Sequence, residues 1–185
     1  VRQVEEWKET ELGVLRVSAN LSVKELVSGR IVDYLTDVRE VHPGIEQRME
    51  LEITESFGVF SDTRVFDALQ TLHQMGYRLA IDDFGTGYSS LSYLSRLPIQ
   101  RLKIDRSFIS GPDACSNAPL IETIIKLAHT LKYDVVAEGI EEIEQADHLR
   151  VLDCEYAQGF YYSRPIPADE FRIWYGKYHE TLLSE

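Results

Sequence analysis

From Leu15 onward the chain alternates between short stretches with an apolar residue at every second position and longer stretches where apolar residues recur every three or four. The first pattern is that of a strand with one buried face, the second that of a helix with one buried stripe. Period-two stretches are "LRVSANL" (15–21), "MELEITE" (49–55), "RLAIDDF" (78–84), "RLKID" (101–105), "DVVAEGI" (134–140) and a weaker "YAQGF" (156–160). Helices are predicted over Lys24–Glu40, Thr63–Met75, Ser89–Arg96, Leu120–Lys132, Glu142–Leu152 and Ala168–Leu183. Six strand-then-helix units in a row imply parallel strands joined by helical crossovers. The Pro- and Gly-flanked segment "PDACSNAP" (112–119) is predicted to be a mobile loop.

Within each strand the two faces differ in chemistry. Leu15, Val17, Ala19 and Leu21 share one face and leave Arg16, Ser18 and Asn20 on the other. Likewise Leu51 and Ile53 oppose Glu52, Leu79 and Ile81 oppose Asp82, Leu102 and Ile104 oppose Lys103, and Val135 and Ala137 oppose Glu138. A doubly wound sheet is covered by helices on both sides and favours strands that are apolar throughout, whereas a barrel turns one face inward and can gather polar groups at its mouth. The expected fold class is therefore α/β, a TIM-like (β/α)8 barrel. It is expected as about six βα units with the N-terminal part missing, since a full barrel takes about 250 residues and this chain has 185, beginning at Val1. The whole of 1–185 is expected to be one domain, or part of one.

Hydrophobic content of 44% suits a soluble globular domain, and no apolar run approaches the roughly 18 residues of a membrane-spanning helix. Nothing at the start has the basic-then-apolar form of a signal peptide, so a cytoplasmic location is expected, with tethering of a longer protein left open. Cys115 and Cys154 lack C-x-x-C spacing and are read as free thiols. A net charge of -12 argues against binding DNA, RNA or anionic lipid, whose phosphates are held by clustered Lys and Arg. Phosphate chemistry stays open where cations neutralise a local acidic cluster.

Such a cluster is what the inward positions form. Asn20, Glu52, Asp82, Lys103, Glu138 and Gln158 come from different strands, yet share one parity and one level, just before the following loop. That is the end at which barrels of this class carry their active sites. One lysine does not offset Glu52, Asp82, Asp83 and Glu138, and unpaired burial of carboxylates costs several kcal/mol each. The donors are oxygen, so the implied counter-ions are hard divalent cations, Mg²⁺ or Mn²⁺, sometimes Ca²⁺. The tandem Asp82-Asp83 favours two ions, about 3.5–4 Å apart, a spacing suited to in-line displacement at phosphorus. Lys103 would orient the attacking water or balance transition-state charge. A single-metal enolase-like enzyme with Lys103 as base is the rival at this level.

The motifs "NLS" (20–22), "LEITES" (51–56), "IDDFGTGYSSLSYL" (81–94), "LKIDRSFI" (102–109), "VVAEGIE" (135–141) and "QGFYYSRP" (158–165) resemble, in order and over essentially the whole chain, those of EAL domains. The resemblance implies a phosphodiesterase that opens cyclic di-GMP, a bacterial second messenger, to linear pGpG. It makes Asn20, Glu52 and Asp82 ligands of one ion and Asp82 and Asp83 ligands of the other. Lys103 matches the lysine of the hydrolytic water. Glu138 matches a general base or metal-proximal carboxylate, Glu141 a second carboxylate of that motif, and Gln158 a glutamine near water and substrate. Asp105 is matched to support of Lys103, and Glu55 to the residue holding the loop that runs from Phe84 through Gly85, Thr86 and Gly87 to Ser90.

Two duller roles compete, Glu55 as a partner of the next helical turn and Glu141 as a cap for the helix beginning at Glu142. Phe160, Tyr161 and Tyr162 are read as packing residues first and guanine-stacking residues second.

The chain departs from the family in lacking the Glu-Ala-Leu motif on an early strand, whose glutamate is a metal ligand. The resemblance places about 60–70 residues before Val1, judged from barrel size. A fragment of an active phosphodiesterase is the favoured reading; a catalytically inactive cyclic di-GMP receptor or interaction module is the alternative. Expected partners are cyclic di-GMP, a second copy in a homodimer, and upstream sensory or GGDEF-type domains.

Overall fold

All six predicted strands form, at Val17–Leu21 (β1), Met49–Thr54 (β2), Arg78–Phe84 (β3), Arg101–Ile104 (β4), Asp134–Glu138 (β5) and Tyr156–Gln158 (β6). They are seen in a computed structural model that describes residues 1–54, 62–87, 91–110 and 114–182. Every neighbouring pair is parallel, and the order across the sheet is that of the chain, β1 to β6. A doubly wound sheet reverses its order at a switch point, whereas a barrel adds each strand beside the last. The sheet is accordingly a curled part-barrel.

Its convex face is the apolar one. Leu51, Ile53, Leu79, Ile81, Leu102, Ile104, Val135 and Ala137 are fully or almost fully buried. They share one core with Val65, Leu69 and Leu72 of α4 (Thr63–Gln74), Ile121, Ile125 and Ala128 of α7 (Ala114–Thr130), and Ala146 and Leu149 of α8 (Ile143–Val151). Each wholly buried Leu or Ile contributes about 1.5–3 kcal/mol. That layer fixes which parity faces inward, because slipping a strand by one residue would exchange its faces.

The helices differ from expectation at their ends. The stretch predicted as one helix over Lys24–Glu40 is two, α2 (Val23–Ser28) and α3 (Arg30–Val41). Gly29, at φ 73°, ends the first in the left-handed conformation that glycine adopts without strain. Ser22 and Glu25 start α2 with a reciprocal capping box. Of the predicted Ser89–Arg96 helix the described part is α5 (Leu91–Leu94). Pro98 disfavours helical backbone at Leu97, which instead sinks into the core. The predicted loop at 112–119 is corrected from Ala114 onward, because α7 begins there and runs through Pro119. A proline costs that helix one backbone hydrogen bond without ending it. Short elements the periodicity did not reveal are α1 (Arg2–Glu6), α6 (Arg106–Ile109) and 3₁₀ turns at Glu11–Val14 and Ile45–Gln47. The last helix is α9 (Ala168–Leu182). Among the described residues no helix is long and apolar enough to cross a membrane.

At the N-terminal ends of the strands the inward positions form an ionic layer. Glu50, 1% exposed, lies 2.9 Å from Arg101 and 3.5 Å from Arg78. Asp134 lies 2.7 Å from Arg78 and 3.6 Å from Arg101, whose guanidinium sits 4.2 Å over the Tyr156 ring. Burial, then repulsion from Arg78, lowers the Arg16 guanidinium from its ordinary value. Cys154 donates to the Tyr156 carbonyl at 3.3 Å, and burial pushes its thiol up to about 11, as suits an inert packing residue.

Candidate active site

The strand register brings the sequence-selected side chains together in a staggered way rather than at the single level expected, since Glu52 pairs with Ala80 and Lys103 with Val136, each two residues before Asp82 and Glu138. Asn20 lies beside Glu52, Thr54 beside Asp82, and Glu138 beside Gln158. At the centre is Lys103 on β4, 5% exposed. Its ammonium donates at 2.8 Å to Glu52, at 2.8 Å to Asp82, and lies 2.7 Å from Glu138. Three strands thus deliver carboxylates to one cation supplied by a fourth. Burial by itself would lower the lysine, but the hydrogen bonds it donates to Asp82, Glu138 and Glu52 outweigh it and raise its pKa. Lys103 therefore keeps its proton throughout the physiological range.

Asp83 enters the site by a backbone device. Regular alternation would turn it away from Asp82, toward the helices. Instead the β3–β4 register shifts between Ile81 and Phe84, and Asp83 takes φ 54°. Aspartate tolerates the left-handed region better than most residues. The kink aims its carboxylate back, and one oxygen from each of Asp82, Asp83 and Glu138 falls within 4.8 Å of the others. Thr86 holds the turn by donating its N–H and hydroxyl to the Asp83 carbonyl, at 3.3 and 2.9 Å.

Four carboxylates now face one ammonium, and two of them report the imbalance. Burial first, then repulsion from Asp82 and Asp105, raises Asp83 against the pull of Lys103. Burial also raises Glu138, opposed by Lys103 and reinforced by Asp82 and Glu52. Both groups bind protons more tightly in the folded chain than at their ordinary values of 3.8 and 4.5. In that window the folded state holds more protons than the unfolded one, so stability conferred by the two acids declines as pH rises through it. Divalent cations need the carboxylates ionised and act in the opposite sense. With EDTA present these two acids are therefore expected to take stability away as pH rises above their ordinary values, a loss in melting temperature that Asp83→Asn should reduce, and Mn²⁺ is expected to reverse it increasingly toward pH 7. A melting temperature insensitive to both pH and Mn²⁺ would contradict this.

The remaining candidates are less central. Asn20, Gln158 and Glu141 are exposed at the rim. Glu142, not Glu141, is the cap of α8, and the Glu141 N–H donates to Gln145 at 2.8 Å. Asp105 caps α6 by accepting from the Ser107 N–H at 3.0 Å and from its hydroxyl. Those bonds, with a further one from the Arg106 N–H, hold Asp105 low against its burial, and Asp105 also lies in hydrogen-bond contact with Asp83. Its side chain therefore reaches Asp83 and the α6 turn, where the sequence had matched it to Lys103. Phe84 is buried, whereas Gly85, Thr86 and Gly87 are exposed. Glu55, Ser89 and Ser90 lie outside the described residues.

A profile of the EAL domain matches residues 1–165. The chain belongs to the EAL domain family. The cyclic di-GMP phosphodiesterase NbdA of Pseudomonas aeruginosa is 41% identical over an alignment of 160 residues that covers 83% of this chain and 20% of that protein. The EAL domain of Mycobacterium smegmatis DcpA superposes with a TM-score of 0.86 at 34% identity, covering 95% of this chain and 79% of that one. The structure titled PaMucR phosphodiesterase, c-di-GMP complex, gives 0.85 at 36% identity over 92% of this chain and 69% of that one. This EAL domain sequence spans about a fifth of the curated relatives it first matches, at 22%, 20% and 20% of their lengths. EAL phosphodiesterases depend on metal, and the donor set fits one: clustered carboxylate oxygens with a surplus of negative charge are the environment hard divalent cations take.

Proposed function

We propose that the chain is a cyclic di-GMP phosphodiesterase domain, spanning 1–185, that hydrolyses its substrate to linear pGpG at the Lys103 cluster. The observation that carries this is the meeting of Asp82, Asp83 and Glu138 within 4.8 Å around a lysine on the neighbouring strand. Asn20, Glu52, Asp82, Asp83 and Glu138 would hold two Mg²⁺ or Mn²⁺ ions. Such ions supply Lewis-acid stabilisation of charge developing on phosphate and make water easier to deprotonate.

The protein's own groups do the rest. Lys103, permanently charged, fixes Glu52, Asp82 and Glu138 in place and presents a cation to the transition state. Glu138, raised by burial, is placed to take a proton from the attacking water. Gln158, beside it on β6, orients that water, with Glu141 at the rim. The Phe84–Gly87 turn holds Asp83, and Asp105 adds negative charge beside it.

The Lys103 ammonium, which holds the oxygens of Glu52, Asp82 and Glu138 that an ion would need, favours one alternative, a receptor that binds cyclic di-GMP without cleaving it. Following pGpG with Mg²⁺ or Mn²⁺ decides between them. Turnover that falls at least a hundredfold in Asp82→Asn supports the enzyme; tight binding without product supports the receptor. Product unaffected by the substitution would rule out this site as its source.

A further inference from the structure

The two loops that bear the metal-site acids both rest on the same short turn. Gly85, two residues after Asp83, has φ 99°, and a Cβ there would lie 2.7 Å from the Phe108 ring. Gly139, next to Glu138, has φ 74°, and a Cβ there would lie 2.4 Å from Cβ of Arg106. Both glycines are thus required twice, for backbone conformation and for close approach. Arg106 and Phe108 belong to α6, the turn that follows Lys103 and is capped by Asp105. Just beyond it, Ser110 donates its hydroxyl to the Gly139 carbonyl. Gln145 closes the far side, donating to the Ile109 carbonyl at 3.2 Å and accepting from the Glu141 and Glu142 N–H groups at 2.8 and 3.1 Å.

We propose that Phe108 and Ser110 are positioning residues, the two sides of a wedge that sets the spacing between Asp82-Asp83 and Glu138. This inference rests on the metal-dependent reading above. Phe108 touches neither substrate nor ions in it. The ring sits on Gly85 and stops the β3 turn from collapsing away from the cluster, while Ser110 ties the β5 turn to the same base. Carboxylates on separate strands share a cation only at a set distance, and groups that orient ligands typically tune metal affinity tenfold to a hundredfold.

The test is Mn²⁺ titration followed by electron paramagnetic resonance, with no nucleotide present, on the 185-residue chain and its Phe108→Ala, Phe108→Leu and Ser110→Ala variants. Phe108→Ala is expected to weaken Mn²⁺ about tenfold or more. Phe108→Leu, which refills most of the volume, should recover most of that loss, and Ser110→Ala should weaken binding several-fold. Circular dichroism melts check that all three remain folded. Unchanged Mn²⁺ affinity in Phe108→Ala overturns the wedge. So does a loss that follows melting temperature equally in all three variants. If Mn²⁺ binding behaves as expected but cyclic di-GMP is not cleaved, the catalytic reading fails and the wedge stands. An unsubstituted chain that does not bind Mn²⁺ overturns both.

Discussion

Lys103→Met is expected to lower turnover of cyclic di-GMP by about a thousandfold while Mn²⁺ binds at least as tightly as before. The two halves of this result have one cause. The ammonium occupies oxygens of Glu52, Asp82 and Glu138 at 2.8, 2.8 and 2.7 Å, and a divalent ion needs some of the same lone pairs. Lysine and metal are therefore rivals for the carboxylates, as well as like charges close enough to repel. Methionine keeps most of the stem's packing and removes both effects. What it cannot replace is a fixed cation at the reacting phosphate, a role commonly worth about 10²- to 10³-fold. Steady-state rates at saturating Mn²⁺, set beside the Mn²⁺ isotherm, separate the two. Parallel loss of binding and turnover would make Lys103 a scaffold only, and retained turnover would remove it from the mechanism.

The site was legible in sequence to the extent that it follows strand parity. Glu52, Asp82, Lys103 and Glu138 all alternate with buried aliphatics, so the period of two placed them on the inner face, whereas the flanks of Gln158 are only partly buried and its strand is the weaker pattern. Asp83 breaks that rule. Its arrival in the cluster depends on a register shift and a left-handed residue, and no periodicity encodes these. Asp105 was placed one residue too deep, at the end of a strand that stops at Ile104, and so its role as the cap of α6 was hidden. Phe108 and Ser110 lie in and just beyond α6, a turn that the periodicity did not reveal. Only the close approach of Gly85 and Gly139 gives them meaning. Helix ends failed for a related reason: Gly29 interrupts a continuous apolar stripe, and Pro119 fails to interrupt one.

Glu50 was passed over although it alternates with Glu52, and there the second large effect is expected. Glu50→Met should cost about 3–5 kcal/mol, the range for removing one partner of a buried ion pair. For a chain of this size that is a drop in melting temperature of about 6–20 °C. The carboxylate is 1% exposed and lies between Arg78 and Arg101, with Asp134 the other acid facing them. Removing it leaves the guanidiniums of Arg78 and Arg101 sharing the partly exposed Asp134 alone, with the exposed Arg16 adding to their repulsion. Glu50→Gln, which keeps an acceptor, should lose less than the methionine variant. Equal stability of the two, both near the unsubstituted chain, would show that volume rather than charge matters at this layer. Glu50 lies two residues below Glu52, about 7 Å along the strand, with Ser18, Ala80 and Val136 between the two polar layers. Glu50→Gln should therefore change stability while leaving Mn²⁺ affinity in place, the reverse of what Phe108→Ala does. A glutamine variant that lost Mn²⁺ without losing stability would mean that the two layers act as one electrostatic unit.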